Sequence, residues 1–300
     1  MNKYIMIIAT IFWAGAFIAG KFSVAEFPII SLVFFRFFFA TIVIFPFMIR
    51  KEESWKIDKE DIPLMIKLGL IGMVGYHVFF FMALKFTSAT NSSLIGATNP
   101  IITTIIAAIF LKSKIEKKHI ISMICSFTGV MLIVTGGDLS NILNLDVNKG
   151  DFIMILAVIC WASYSLMSKD ALKKYSPIKV TSYAFLVCII TLLPFVFLEK
   201  PWEFIPKVSA LGWASVLYMS VFASVCGYLI QQISIKNIGP LKTNLYINLV
   251  PVFSMILAAV MLGEQITIVK IIAAVFIVSS ILISNISKKT EEEINIAENK

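Results

Sequence analysis

The stretch Ile11 to Lys21, IFWAGAFIAGK, returns as Ile159 to Lys169, ICWASYSLMSK. Four of the eleven positions are identical, and Trp13 falls on Trp161 at an offset of 148. A tryptophan followed by small residues in an apolar run, repeated at half-chain spacing, is the signature of an internally duplicated membrane protein. A second pair agrees. Leu94 to Leu111, LIGATNPIITTIIAAIFL, aligns with Leu245 to Leu262, LYINLVPVFSMILAAVML, at an offset of 151, with Pro100 on Pro251 and six of eighteen positions identical. Phe45, Pro46 and Phe47 likewise fall on Leu193, Pro194 and Phe195.

Composition fixes the class. Hydrophobic residues make up 59% of the 300 residues and the mean hydropathy is +0.90, beyond the roughly half-apolar content of soluble domains. The chain belongs in a bilayer, with membrane lipid around it. Its net charge of +8 does not indicate nucleic acid, because the lysines sit in short loops between apolar runs, where they set membrane orientation. Cys125, Cys160, Cys188 and Cys226 lie in apolar runs without metal-site spacing, so no disulfide, metal or other cofactor is expected.

A spanning helix needs about 20 mostly apolar residues. Ten runs qualify: approximately Tyr4 to Gly20, Ile29 to Ile49, Leu64 to Leu84, Asn91 to Leu111, Ile120 to Gly136, Asp151 to Ser168, Lys179 to Leu198, Ser209 to Ile235, Thr243 to Leu262 and Ile266 to Ile286. With the N-terminus inside, nineteen lysines and arginines fall in inner segments and six in outer ones, leaving Arg36 within the membrane. That asymmetry puts both termini in the cytoplasm. Five helices per repeat is an odd number, so the second copy enters the membrane from the opposite side. The loops agree, since Lys112, Lys114, Lys117 and Lys118 align with the uncharged Gly263, Gln265, Ile268 and Val269. The expected architecture is an all-α membrane protein of ten transmembrane helices, built from two inverted five-helix repeats at 1–137 and 150–287. A polar cytoplasmic tail follows at 288–300.

This pattern resembles the EamA type of the drug/metabolite transporter superfamily. The likeness rests on the ten helices in two halves, Trp13 and Trp161 in the first helix of each, Arg36 in the second, Pro100 and Pro251 in the fourth and ninth, and Leu262, Gly263 and Glu264 closing the ninth. The first repeat departs from it, with Leu111, Lys112 and Ser113 at the matching place. The resemblance implies a small-solute carrier working by alternating access, often an exporter of amino acids or related metabolites.

Depth nominates the binding residues. Trp13, Arg36, His77 and Asn99 lie seven or eight residues from the expected outer ends of their helices, roughly 10 to 12 Å deep at about 1.5 Å per residue and near the midplane. Trp161, Tyr228 and Asn248 mirror them from inside. Tyr76 beside His77, Tyr164 one turn from Trp161, and Gln231 and Asn244 one turn from Tyr228 and Asn248 complete the set. Each also has a packing role open to it: the tryptophans as core, Arg36 as a donor to helix carbonyls, His77 as a hydrogen-bonded packing residue. Ser92, Gly96, Asn99 and Thr103 share a face that is either a cavity wall or a close helix contact. Pro100 and Pro251 free the carbonyls of Gly96 and Ile247, which suits gating helices. Gly69, Gly72 and Gly75 read as tight packing.

No acidic residue falls at the midplane; Glu26, Asp151, Asp170, Glu199 and Glu264 all mark helix boundaries. Without a buried carboxylate relay, facilitated transport or exchange is expected ahead of coupling through His77. The chain lacks HExxH, G-x-S-x-G and Walker motifs, so an enzyme is not expected. The reading is a secondary transporter of a small metabolite, an amino acid or related carboxylate-bearing solute. Its rivals are an organic-cation carrier using cation–π contacts with Trp13 and Trp161, and more distantly a channel.

Overall fold

Apolar runs in lipid have no water to satisfy their backbone, so they become helices. The computed structural model describes residues 5–86, 95–111, 116–135, 137–138, 149–262 and 266–284, and these hold helices and no strand. The main helices are α1 (Met6–Glu26), α2 (Ile29–Lys51), α3 (Lys59–Phe86), α4 (Asn99–Leu111), α5 (Lys117–Thr135), α6 (Lys149–Lys174), α7 (Pro177–Leu198), α8 (Ala210–Ile247), α9 (Leu249–Leu262) and α10 (Ile268–Ser284). Among the described residues six are long and apolar enough to cross a membrane: α1, α2, α3, α6, α7 and α8. Ser92, Gly263, Glu264, residues 112–115 and the tail 288–300 lie outside the described residues.

The helix ends correct the sequence reading in a consistent way. α1 runs six residues past the expected end at Gly20, and α6 runs six past Ser168. A single lysine in each run does not stop a helix. The stop comes at Phe27 before Pro28 and at Ser176 before Pro177, both extended, because a proline ring pushes the preceding residue out of the helical region. Trp13 and Trp161 therefore stand thirteen residues from their helix ends rather than eight. The expected eighth and ninth helices divide at Gly239, whose φ of 80° needs a glycine, with Pro240 opening the next helix.

A turn precedes each of Pro100 and Pro251. The chain turns at Thr98, two residues before Pro100, and at Asn248, three before Pro251. At each turn a backbone N–H reaches only three residues back, Thr98 to Ile95 and Asn248 to Leu245. α3 and α8 carry a feature the sequence did not announce. Leu68–Gly75 and Met219–Cys226 are π-helical, at registers 151 apart. Such wide turns interrupt the usual hydrogen-bond ladder and recur at functional sites.

Helix partnerships follow the duplication. α1 packs on α8 and α9, α6 on α3 and α4, α2 on α7, and α5 on α10. Exchanging the halves maps this set onto itself, as a two-fold relation between them requires. Small residues permit the approach. Gly69 lies against Val187 and the Ala184 carbonyl, Gly72 against the Tyr164 ring, and Gly75 against Cys160.

Polar links join the halves at both ends. At one end, Glu26 accepts from the Ser209 amide at 2.6 Å and its hydroxyl at 2.7 Å. There Glu199 also caps α2, accepting from the amides of Ile30 and Ser31 and from the Ser31 hydroxyl. A carboxylate suits a helix N-terminus, where free N–H groups and the dipole favour negative charge. At the other end, Glu52 accepts from the Ser176 hydroxyl at 2.6 Å and faces Lys179, while Asp61 accepts from Tyr175 at 2.6 Å and pairs with Lys174. Burial and the bond to Asp61 push the Tyr175 phenol above its ordinary value.

Candidate functional site

Six helices bring aromatic side chains to the centre. Trp13 of α1 meets Trp161 of α6 edge to face, centroids 5.6 Å apart at 84°. Phe37 of α2 meets Phe185 of α7 at 4.9 Å, and His77 of α3 meets Tyr228 of α8 at 6.1 Å. Each of these residues touches its own counterpart from the other half, 148 or 151 positions away. A residue reaches its symmetry mate only beside the axis, so the axis relating the halves runs through this cluster. Tyr76 joins through Trp161 at 4.6 Å and Tyr164 through Tyr228 at 6.1 Å. Phe37 and Phe185 were not singled out from sequence, although their shared offset of 148 is the same signal that exposed the tryptophans.

The π-helical turns supply carbonyls to this centre. The Trp13 indole N–H donates to the Ala223 carbonyl at 2.9 Å, and His77 Nδ1 lies 2.9 Å from the Met73 carbonyl. A carbonyl only accepts, so Nδ1 carries the proton. Nε2 on the other side of the ring is hydrogen-bonded with the Tyr228 hydroxyl, 3.2 Å away.

Arg36 borders the rings from α2. Its Nε donates to the Ser224 hydroxyl at 2.8 Å, and its guanidinium carbon stands 5.5 Å from the centre of the Phe37 ring. It is 7% exposed, and no ion pair among the described residues includes it. An unneutralised buried cation is expensive.

The amides divide into two groups. Asn244 and Asn248 are bonded between helices, and Asn99 is bonded within its own. Thr103 donates to Asn99 at 3.0 Å and accepts from Asn244 at 2.8 Å, Asn244 accepts from Ser165 at 3.2 Å, and Asn248 donates to Ser126 at 2.8 Å. Pro100 and Pro251 follow the turns at Thr98 and Asn248. The shared face of the fourth helix is thus a helix contact at Thr103, which meets Asn244 of α8. Gln231 differs: it is fully buried, and neither amide atom has a partner. Gln232 donates to Tyr164 and Ser168, but its Oε1 is unbonded, as is the Trp161 Nε1. Each such group left bare costs about 1–3 kcal/mol.

Comparison with known proteins gives the class. The chain matches the EamA-like transporter family twice, over residues 3–135 and 148–286. It is 33% identical over 285 residues to a Bacillus subtilis protein named uncharacterized transporter YyaM, covering 94% of this chain and 93% of that one. The WAT1-related protein At5g07050 of Arabidopsis thaliana is 26% identical over 303 residues, covering 89% of this chain and 75% of that protein. A crystal structure 18% identical in sequence superimposes with a TM-score of 0.76 over 94% of this chain and 95% of the other, which is a likeness of fold. A duplicated helical chain with its rings gathered on the axis between the halves, matched by the family in both halves, belongs to the EamA-like transporter family.

Proposed function

We propose that the chain is a secondary carrier for a small carboxylate-bearing solute, an amino acid or close relative, across the bacterial inner membrane. It works by alternating access between two inverted repeats of five spans each, with both termini in the cytoplasm, and exports or exchanges its solute. The observation that carries this reading is Arg36: a buried cation beside the axial ring cluster, with one hydroxyl partner and no ion pair among the described residues. An arriving carboxylate neutralises it. The rings of Trp13, Tyr76, Trp161 and Tyr228 then enclose the apolar part of the solute, and the breaks beside Pro100 and Pro251 let the fourth and ninth helices bend as the access side changes. The absence of an acidic residue from the expected midplane supports uncoupled movement over proton coupling through His77.

Counterflow in proteoliposomes tests this with a panel of L-amino acids and the amines that lack their carboxylate. The acids are carried and the amines are not, and Arg36→Gln weakens uptake of the acids about 100-fold while the protein still melts cooperatively. Amines carried as well as acids would favour the organic-cation reading. Ion currents far above carrier rates would favour a channel. Accumulation driven by a pH gradient and lost in His77→Gln would replace uncoupled movement with proton coupling.

A further inference from the structure

The geometry points to a carboxamide subsite in the carrier's centre, made by the side-chain amide of Gln231 with the indole N–H of Trp161. It deepens the carrier reading and rests on it. Gln231 is 0% exposed with both amide atoms unbonded. It stands four residues after Gly227, and residues four apart share a helix face. That face looks onto Trp13, because a Cβ at Gly227 would lie 2.6 Å from the Trp13 Nε1. Gln231 therefore presents to the same seam one turn further along α8, beside the ring that meets Trp161 edge to face.

The unused atoms specify a chemistry. Gln231 Nε2 and Trp161 Nε1 are donors; Gln231 Oε1 and Gln232 Oε1 are acceptors. The set is uncharged and balanced, and an amide presents its donor and acceptor side by side. Its complement is another edge of the same kind, such as a carboxamide. A bare carboxylate gives the two oxygens no proton, and a hydrocarbon satisfies none of the four atoms. The hydroxyl that holds Arg36 belongs to Ser224, seven residues before Gln231 and about 10 Å along the helix. A solute spanning the two would set its carboxylate on Arg36 and its amide on Gln231.

Thermal-shift titration of the purified protein tests the subsite with three probes: L-glutamine, L-methionine of similar length, and nicotinamide, an amide without a carboxylate. The wild-type protein is expected to bind L-glutamine at least about tenfold more tightly than L-methionine, and Gln231→Met to bind the two alike. Without ligand, Gln231→Met melts at or above the wild-type temperature, since an unpartnered amide gives way to an apolar group of similar shape. Nicotinamide binding falls in Gln231→Met and survives in Arg36→Gln, so a failure of the carboxylate reading leaves the subsite standing. The inference is overturned if the wild-type protein fails to prefer L-glutamine or if the preference persists in Gln231→Met. It is equally overturned if Gln231→Met melts several degrees lower, which would show the amide bonded within the folded protein.

Discussion

Trp13 and Trp161 occupy matched positions in the two halves and touch each other, yet their indole N–H groups are treated differently. Trp13 donates to the Ala223 carbonyl in the π-helical turn of α8. The equivalent position in the turn of α3 is Gly72, and the Trp161 N–H makes no bond there or elsewhere. Gly72 is instead covered by the Tyr164 ring, and the neighbouring Met73 carbonyl is taken by His77. Duplication thus fixed where the indoles stand, and divergence of their neighbours gave one N–H a partner and left the other without. A shared backbone does not imply a shared role.

Substitutions in the two turns should break this comparison most sharply. Gly72→Ala drives a methyl into the Tyr164 ring and is expected to destabilise by about 1–3 kcal/mol, whereas Ala223→Gly at the matched site costs about 0.5–1 kcal/mol. Melting of the purified variants measures both, and equal losses would mean that the two turns are interchangeable. The indoles come next. Trp13→Phe loses a buried hydrogen bond, about 1 kcal/mol beyond the shared cost of the smaller ring, while Trp161→Phe carries that shared cost alone and weakens L-glutamine binding about tenfold. The reverse assignment would transfer the binding role to Trp13. Tyr228→Phe removes the single bond to His77 Nε2 and should cost about 1 kcal/mol, with transport keeping its pH profile if His77 stays neutral. The smallest effect is expected at the end of the molecule. Tyr175→Phe deletes the links to Asp61 and the Asp58 amide, for about 1 kcal/mol or less. With the phenol held above its usual value near 10, this contribution is present below that pH and fades only as pH rises past the raised value. A wild-type melting temperature that drops between about pH 6 and 9 through this group would contradict it.

Much of the centre was legible in the chain. Hydropathy marked a helical membrane chain, the repeat offset matched Trp13 with Trp161, and turns at Thr98 and Asn248 stand near Pro100 and Pro251. Helix ends were less legible, because lysine was taken as a stop that the bilayer edge does not impose, while the X-Pro steps at Phe27 and Ser176 set the true limits. The amides were least legible. Asn99, Asn244, Asn248 and Gln231 look alike in sequence, and nothing local distinguishes a bonded amide from a bare one.

By itself the sequence determined a duplicated helical membrane protein with aromatic residues at matched registers, because periodicity and hydropathy act along the chain. Only the tertiary structure decided which polar atoms are satisfied. It gave Ser224 to Arg36, Thr103 to Asn244, and no partner to Gln231 or to the Trp161 N–H. Hydrogen bonds between helices form across space, between residues 141 or 188 positions apart in these two cases, and no local pattern encodes which donors are left over.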